Sequence, residues 1–206
     1  NWHYDPSGQN RADTMAHMED AMGALQDEVK RGTIRHFGLS NESAWGMTQW
    51  AEAARRTGGP RPISVQNEYS LLCRMADTDV AEACVNEDID MFAFSPLAAG
   101  LLTGKYQGGA IPEGSRLSLS PERGGRKTAR ACEAGDAYLK VATDYDLDPV
   151  QMALAWCCQR SFMGSVIFGA TTMEQLERSL GTVELTLEDE VLKALDDVNK
   201  AHPLPY

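Results

Sequence analysis

The sequence predicts an α/β fold built from parallel strand–helix units, and two observations lead to it. Short apolar strands alternate with helical segments along the 206-residue chain, a pattern typical of parallel βα units. Small and polar side chains follow each predicted strand, where ligands bind in parallel α/β folds because the loops meet there. The length fits one domain or part of a larger one, and the apolar content of 43% is normal for a packed core.

Four short strands are predicted from runs of β-branched or aromatic residues. They lie at 33–39, 63–66, 91–94 and 166–168. Each is bounded by small or polar residues that are typical of turns. Their nearly continuous apolar character predicts strands that are buried on both faces.

Helices are predicted where apolar side chains recur three or four residues apart. The first, over 14–30, is stopped by Gly32, and the second, over 43–56, is broken by the Gly-Gly-Pro run that begins at Gly58. The remaining predicted helices cover 79–87, 127–145, 149–160, 173–181 and 187–199. The segment 97–125 is too long for an ordinary connection, and such loops are usually functional or disordered.

The composition narrows the expected partners. Thirty acidic and nineteen basic residues give a net charge of −11, which argues against a general nucleic-acid footprint. No apolar run is long enough to span a membrane, and the five cysteines lack metal-type spacing, which favours reduced thiols in a cytoplasmic protein. We therefore expect neither nucleic acid nor a membrane as a partner, and any anionic ligand must be held by local donors.

The stretch 166–180 has the pattern of an anion site. A strand ends in the Gly-Ala pair at 169–170, and a helix begins near Thr171 or Thr172. Unpaired backbone N–H groups and the positive end of the helix dipole would face the same point. Either threonine can cap the helix, with Gln175 at capping-box distance from Thr172. An ordinary turn between strand and helix is the alternative.

Side chains suited to ligand binding lie at or just past the predicted strand ends. They are Asn41, Gln66, Tyr69, Ser95 and Gly169. Each has an ordinary structural explanation, such as helix capping for Asn41 or a turn before proline for Ser95. Four strand ends that carry such groups together favour a ligand site where the loops converge.

Four motifs resemble, in order, the C-terminal part of an aldo-keto reductase, in particular bacterial members similar to aryl-alcohol dehydrogenases. They are GTIRHFGLSN at 32–41, VQNEYSLL at 65–72, FSPLAAGLLTGKY at 94–106 and VIFGATTMEQLERSL at 166–180. The resemblance implies a parallel (β/α)8 barrel of the TIM type. Residues 1–206 would supply about its C-terminal half, strands 5–8 and the closing helices. The implied cofactor is NADP(H), with NAD(H) as the alternative.

The resemblance also implies which residues hold the cofactor. Positions near the nicotinamide carboxamide, which needs donors and acceptors, are matched by Ser40, Asn41 and Gln66. Tyr69 matches the aromatic residue that stacks on the nicotinamide ring. The loop over the pyrophosphate is matched by Ser95, Leu97, Gly100, Leu102 and Lys105. The turn around the adenosine phosphate is matched by Gly169, Ala170 and Thr171.

Two positions depart from the commonest family pattern. Gln175 stands where an arginine or lysine often meets the 2′-phosphate, and Ser179 stands where an asparagine often faces the adenine. Arg178 is close in sequence and can supply the missing charge, with a solvated helix residue as the alternative. NADP preference over NAD is expected on this basis.

The catalytic residues implied by the resemblance are mostly absent from this sequence. The family reduces carbonyls with an Asp, a Tyr, a Lys and a His, and the first three would precede residue 1. His3 matches the histidine if a tyrosine precedes Asn1; the alternative places that histidine just upstream. Candidates for the wall of a carbonyl pocket are Trp2, Tyr4 and the segment 97–125, with the chain end 202–206 as a further possibility. Core packing is the alternative for Trp2 and Tyr4.

The implied function is an NADP(H)-dependent oxidoreductase that interconverts aldehydes or ketones and alcohols by hydride transfer. The expected partners are a small carbonyl or alcohol substrate and the N-terminal half of the barrel, covalent or as a separate chain. Four strands alone would leave two unpaired edges, and we expect the chain by itself to be inactive. The alternatives are a non-catalytic NADP(H) sensor that regulates a partner and an inactive truncated fragment.

Overall fold

Helices alternate with strands along the chain, as the sequence predicts. The computed structural model describes residues 6–8, 10–120 and 128–206. The strands are β1 (Gly38–Ser40), β2 (Ser64–Glu68), β3 (Asp90–Phe94) and β4 (Met163–Ile167). The α-helices are α1 (Arg11–Arg31), α2 (Ala44–Thr57), α3 (Asp79–Glu87), α4 (Arg116–Leu119), α5 (Ala129–Asp144), α6 (Pro149–Cys158), α7 (Met173–Leu180) and α8 (Asp189–Ala201). Short 3-10 segments are Pro6–Gly8, Met75–Asp77, Ala98–Thr103, Gln107–Gly109 and Gly181–Glu184.

The four strands form a sheet in the order β1-β2-β3-β4. β1 and β2 pair in parallel, with Leu39 opposite Val65. Helical segments separate consecutive strands: α2 lies between β1 and β2, α3 lies between β2 and β3, and α4, α5 and α6 lie between β3 and β4. Helical connections of this kind are expected between parallel strands. The predicted α/β class is therefore confirmed.

Contacts divide the chain into two units, one of residues 1–67 and 77–92 and the other of residues 68–76 and 93–206. The first unit packs α1 against α2 around Met22, which has no exposed surface. Phe37 and Trp50 cover this cluster with an edge-to-face contact at 6.2 Å between ring centroids. Burial of these side chains fixes the helices beside β1 and β2.

The second unit is built around α5 and α6. Both helices begin where the sequence provides a cap: Thr128 accepts from the backbone N–H of Ala131, and Asp148 accepts from those of Val150 and Gln151. Most of α6 is buried, and its Trp156 has no exposed surface. The core of this unit thus fixes the strand β4 that follows α6.

The outer strands differ from the prediction. β1 covers only 38–40 rather than 33–39, and neither β1 nor β4 contains a fully buried residue. These strands stand at the two ends of the strand order, so each has one hydrogen-bonded neighbour among the described residues. The expectation that all strands are buried on both faces is wrong for this chain, because an end strand has packing on fewer sides.

None of the helices in the described part of the chain is long and apolar enough to cross a membrane.

Candidate functional site

A cavity of about 270 Å³ lies in the second unit at the carboxyl end of β4. Eight of the residues predicted to hold a cofactor line it: Ser95, Leu97, Gly100, Lys105, Gly169, Gln175, Arg178 and Ser179. The structure therefore brings together two motifs that lie far apart in sequence. Leu102, by contrast, is packed in the core with 1% of its surface exposed, and Ala170 and Thr171 are exposed at the turn before α7.

Among the described residues, three cationic side chains line this cavity although the chain is strongly acidic. They are Lys105, Arg116 and Arg178. Arg116 was not predicted from the sequence, since the segment 97–125 has no periodicity that would place its side chains. Its position directly after the helix cap Ser115 is the one local signal that could have located it. This concentration of positive charge suits an anion.

Arg178 is held by an ion pair at the cavity wall. Its Nε donates to Oδ2 of Asp148 at 2.7 Å, while Oδ1 of Asp148 caps α6. Nε2 of Gln151 also donates to the backbone oxygen of Arg178 at 3.0 Å. The ion pair uses one of the five N–H donors of the guanidinium and offsets part of its charge.

The N-terminus of α7 has the predicted cap. Oγ1 of Thr172 accepts from the backbone N–H of Gln175 at 3.2 Å, which identifies Thr172 as the cap. Oε1 of Gln175 accepts in return from the backbone N–H and the hydroxyl of Thr171, at 2.9 and 3.1 Å. Gln175 therefore offers a ligand its amide donors and no charge. Ser179 donates its hydroxyl to the backbone oxygen of Gln175 at 2.8 Å and is 6% exposed.

The segment after β3 adopts unusual backbone conformations. Ser95, Ala98 and Ala99 have φ values of 55°, 48° and 56°, in the left-handed region that non-glycine residues rarely occupy. Gly100 has φ 97°, and a Cβ there would lie 2.9 Å from Cε of Lys105. Such strained conformations cluster at functional sites.

Tyr106 organises the two cations of this segment. The Lys105 ammonium lies 5.1 Å from the centroid of its ring, within cation–π range. Its hydroxyl oxygen accepts from the backbone N–H of Leu117, in the short helix that carries Arg116, at 3.2 Å. Tyr106 is nearly buried, so it provides a fixed support for both positive charges.

In the first unit, the structure brings Ser40, Asn41 and Gln66 together at the carboxyl ends of β1 and β2. The backbone N–H of Asn41 donates to the oxygen of Gln66 at 3.0 Å, and Nδ2 of Asn41 donates to the Ser40 hydroxyl at 3.1 Å. Asn41 has φ 53°. Asn67, which was not predicted, exchanges two hydrogen bonds with the backbone of Glu42, at 2.8 and 3.0 Å. These polar groups form an exposed cluster suited to an amide.

Tyr69 lies in the core of the second unit with no exposed surface. Its ring stacks on Trp156, with centroids 5.0 Å apart and planes at 18°, and meets the edge of Phe162 at 5.7 Å. The ring therefore has no open face in this structure, and its stacking on nicotinamide stays a prediction. Phe94 is the partly exposed aromatic residue directly before Ser95. His3, Trp2 and Tyr4 lie outside the described residues.

Comparison with known proteins identifies the family. The model of the aldo/keto reductase family matches residues 4–200. Protein tas of Escherichia coli is 36% identical over 186 residues, covering 90% of this chain and 54% of that protein. An aldo-keto reductase of Babesia bovis is 37% identical over 169 residues, covering 79% and 59%. A probable voltage-gated potassium channel subunit beta of Arabidopsis thaliana is 30% identical over 203 residues, covering 94% and 61%.

The chain spans about half to three fifths of the length of these relatives. The family match nevertheless covers most of its residues. The four motifs and the helix cap agree with that match. This chain belongs to the aldo/keto reductase family.

Proposed function

We propose that this chain supplies about the C-terminal half, strands 5–8, of a (β/α)8 barrel that interconverts aldehydes or ketones and alcohols with NADP(H). The observation that carries the proposal is the cavity at the end of β4, lined by three cations and the first turn of α7. Cationic side chains and a helix N-terminus together favour the phosphates of a dinucleotide.

The volume of the cavity suits one end of the cofactor rather than the whole molecule. Pockets for small ligands usually measure about 300–1,000 Å³, and this one measures about 270 Å³. Its lining combines cations for phosphate with small residues such as Gly100 and Gly169, which let a ligand approach the backbone. We assign it to the phosphate-bearing adenosine end of NADP(H).

Preference for NADP(H) over NAD(H) follows from charge. The extra 2′-phosphate of NADP(H) adds close to two negative charges near neutral pH. Lys105, Arg116 and Arg178 supply positive charge at the cavity wall, whereas Gln175 is neutral. NAD(H) carries only the charges of its pyrophosphate, so it gains less from these cations than NADP(H) does.

For the polar cluster of the first unit, we propose contact with a carboxamide group such as that of nicotinamide. Ser40, Asn41 and Gln66 carry the hydroxyl and amide groups that a carboxamide needs on both its donor and its acceptor sides. When bound, the cofactor supplies the hydride. Orientation of its ring is assigned to an aromatic side chain, Tyr69 as the resemblance implies or Phe94, which is partly exposed at the end of β3.

The proton for the carbonyl oxygen is assigned to residues outside this chain. We infer that the general acid is a tyrosine of the N-terminal half, with an Asp and a Lys beside it, and that His3 completes the group. On this assignment the 206 residues bind cofactor and remain inactive alone.

The N-terminal half needs a docking surface, and α7 provides one. Met173, Leu180 and Val183 in α7 and the turn after it are 66%, 51% and 81% exposed. Large exposed apolar side chains are candidates for an interface, and we propose these three for contact with a partner. The relatives are longer than this chain. We therefore propose that the N-terminal half of the barrel, covalently linked or as a separate chain, covers these side chains.

A regulatory role is the second candidate. The Arabidopsis relative is named as a probable potassium channel subunit beta, so a family member of similar sequence bears a non-enzymatic name. The candidates separate when the chain is joined to its N-terminal half: an enzyme reduces aldehydes with NADPH at many turnovers, whereas a sensor binds NADPH without turnover. An inactive fragment would neither bind nor turn over.

The first experiment is titration of the purified chain with NADPH and NADH, followed by tryptophan fluorescence, with size-exclusion chromatography of the same sample. Saturable binding that favours NADPH supports the proposal. Absence of binding by a monodisperse, folded sample would contradict the claim that this chain holds the adenosine end. The matched pair of cofactors controls for light absorption, because both share the same nicotinamide chromophore.

A further inference from the structure

We propose that the C-terminal strap, residues 203–206, positions the end of β2 and, through it, Phe94 and Ser95 at the cavity. The inference rests on the proposed function and assigns Tyr206 as a positioning residue for the cofactor. It is carried by a series of hydrogen bonds within the second unit.

The strap is fastened at three points. The hydroxyl of Tyr206 donates to Oε1 of Glu68 at 3.1 Å. Oγ1 of Thr128 donates to the backbone oxygen of Pro205 at 2.8 Å, and the Arg130 guanidinium donates to that of Pro203 at 3.0 Å. The bonds to Pro203 and Pro205 hold the strap against the start of α5 and thereby fix the position of Tyr206.

Its target, Glu68, is a buried carboxyl group. Glu68 is the last residue of β2 and is 5% exposed. A buried carboxylate needs hydrogen-bond donors, because water cannot solvate it. Burial first, and then the Glu68 charge, raise the pKa of Tyr206 far above its usual value. The phenol therefore keeps its proton and remains a donor at all ordinary pH values.

The backbone connects Glu68 to the cavity in two steps. The N–H of Tyr69 donates to the oxygen of Phe94 at 3.2 Å, which ties the end of β2 to the end of β3. Ser95, the next residue, lines the cavity in a left-handed conformation. A shift of Glu68 thus reaches Phe94 and Ser95 without passing through α7.

A second bond from the C-terminal region holds the same segment. Arg74 donates to Oδ1 of Asp196 on α8 at 2.8 Å, and its side chain is only 12% exposed. Two hydrogen bonds from the C-terminal region therefore hold the segment 68–76. The strap bonds to Glu68, and α8 bonds to Arg74. Removal of the Tyr206 hydroxyl leaves the Arg74 tie in place, so the expected change is local.

The test compares two ligands on the variant Tyr206→Phe of the full chain. NADPH carries the nicotinamide ring that Phe94 would orient, whereas adenosine 2′,5′-bisphosphate carries only the adenosine and phosphate groups that the cavity of the second unit would hold. We expect Tyr206→Phe to weaken NADPH binding roughly three- to tenfold, as the loss of one hydrogen bond does. Binding of the bisphosphate should weaken by a smaller factor, because Ser95 is one of several residues that line the cavity whereas Phe94 is assigned only to the ring of NADPH. Glu68→Gln keeps an acceptor for the phenol and should stay close to the parent.

The matched control is Tyr145→Phe, since Tyr145 is 39% exposed and lies at the end of α5 away from the strap; it should change neither affinity. If Tyr206→Phe does not fold, as judged by circular dichroism, Arg130→Met loosens the strap at an exposed residue and is expected to show the same split between ligands. Equal loss of both ligands, or equal NADPH affinity in parent and variant, would overturn the inference. Failure of the parent chain to bind the bisphosphate would overturn the proposed function, and this inference with it.

Discussion

Arg178 and Asp148 form an ion pair that joins the cavity wall to the start of α6, with Nε 2.7 Å from Oδ2. The same carboxyl group caps α6 through Oδ1. One acidic residue therefore serves two purposes: it begins a helix, and it offsets the charge of a cation that lines the cavity. The pair is roughly a third exposed on each side, so its net stabilisation is modest.

The variant Asp148→Asn should strengthen NADPH binding. Asparagine caps helices about as well as aspartate, so α6 keeps its first turn, while the Arg178 charge is no longer offset. We expect NADPH affinity to rise about two- to fivefold and stability to fall by about 0.2–1 kcal/mol, with NADH affinity nearly unchanged. Titration of both cofactors and urea unfolding measure these effects. Tighter binding of NADH by the same factor would show that Arg178 does not face the 2′-phosphate.

Replacement of Arg116 by glutamine should weaken NADPH binding more than NADH binding. The side chain lines the cavity and adds one of its three positive charges. A lost charge-assisted contact to phosphate costs about 1.5–3 kcal/mol, so NADPH affinity should fall by about tenfold or more. The loss should shrink as salt is raised, because salt screens exposed charges. Lys140→Gln removes an exposed cation on α5 that pairs with Asp144, and it should leave both affinities unchanged.

Local chemistry explains what the sequence could predict. Thr172 caps its helix as expected, and α3 occupies the predicted range 79–87. Caps and apolar spacing act within a few residues, so one segment is enough to recognise them. The cavity was predictable in part, because its small and polar residues follow the ends of strands.

Tertiary packing explains what the sequence could not predict. The burial of Tyr69 depends on Trp156 and Phe162, which are distant in sequence and cannot be recognised as its partners from spacing. Arg116 reaches the cavity because Tyr106 holds its short helix, a contact that no periodicity indicates. The extent of β1 depends on pairing with β2 rather than on β-propensity.

Gly100→Ala should distort the cavity, because the backbone conformation at this position requires glycine. Gly100 has φ 97°, which a residue with a Cβ rarely adopts, and the added Cβ would lie 2.9 Å from Cε of Lys105 and 3.0 Å from the Tyr106 ring. We expect a loss of about 1–3 kcal/mol in the free energy of unfolding and weaker NADPH binding. Gly23→Ala in α1 is the matched control: its Cβ meets nothing within 4 Å, and it should stabilise the chain by about 0.5–1 kcal/mol. Equal effects of both variants would contradict the strain at Gly100.

The thiol of Cys84 should make stability depend on pH above neutrality. Burial, and then the nearby Asp90 charge, raise its pKa to about 11. An unfolded thiol loses its proton near pH 8.5, so the unfolded state binds fewer protons at higher pH and becomes favoured. The contribution of the buried neutral thiol is therefore fully present below the unfolded pKa and is lost as pH rises from there towards about 11.

Urea unfolding of the parent chain and of Cys84→Ala at pH 7.5 and pH 10.5 measures this effect. Between the two pH values, the free energy of unfolding should fall more in the parent than in Cys84→Ala. The other groups titrate equally in both proteins, so the difference reports on Cys84. Cys132→Ala, at a cysteine that is only partly buried, serves as the comparison. Identical pH dependence of parent and Cys84→Ala would rule out a raised pKa at Cys84.

Val183→Lys should reduce self-association of the isolated chain. Val183 is 81% exposed, and with Met173 and Leu180 we assign it to contact with the N-terminal half of the barrel. Without that partner, exposed apolar surface favours contact between copies, and a charge at its centre opposes this contact. Size-exclusion chromatography at increasing concentration should show less oligomer than for the parent. Val85→Lys, at a valine of α3 that is 64% exposed, is the control for added charge.

When a separately produced N-terminal half is supplied, Val183→Lys should also pair with it more weakly, whereas Val85→Lys should pair like the parent. Equal pairing of both variants would assign the docking surface elsewhere.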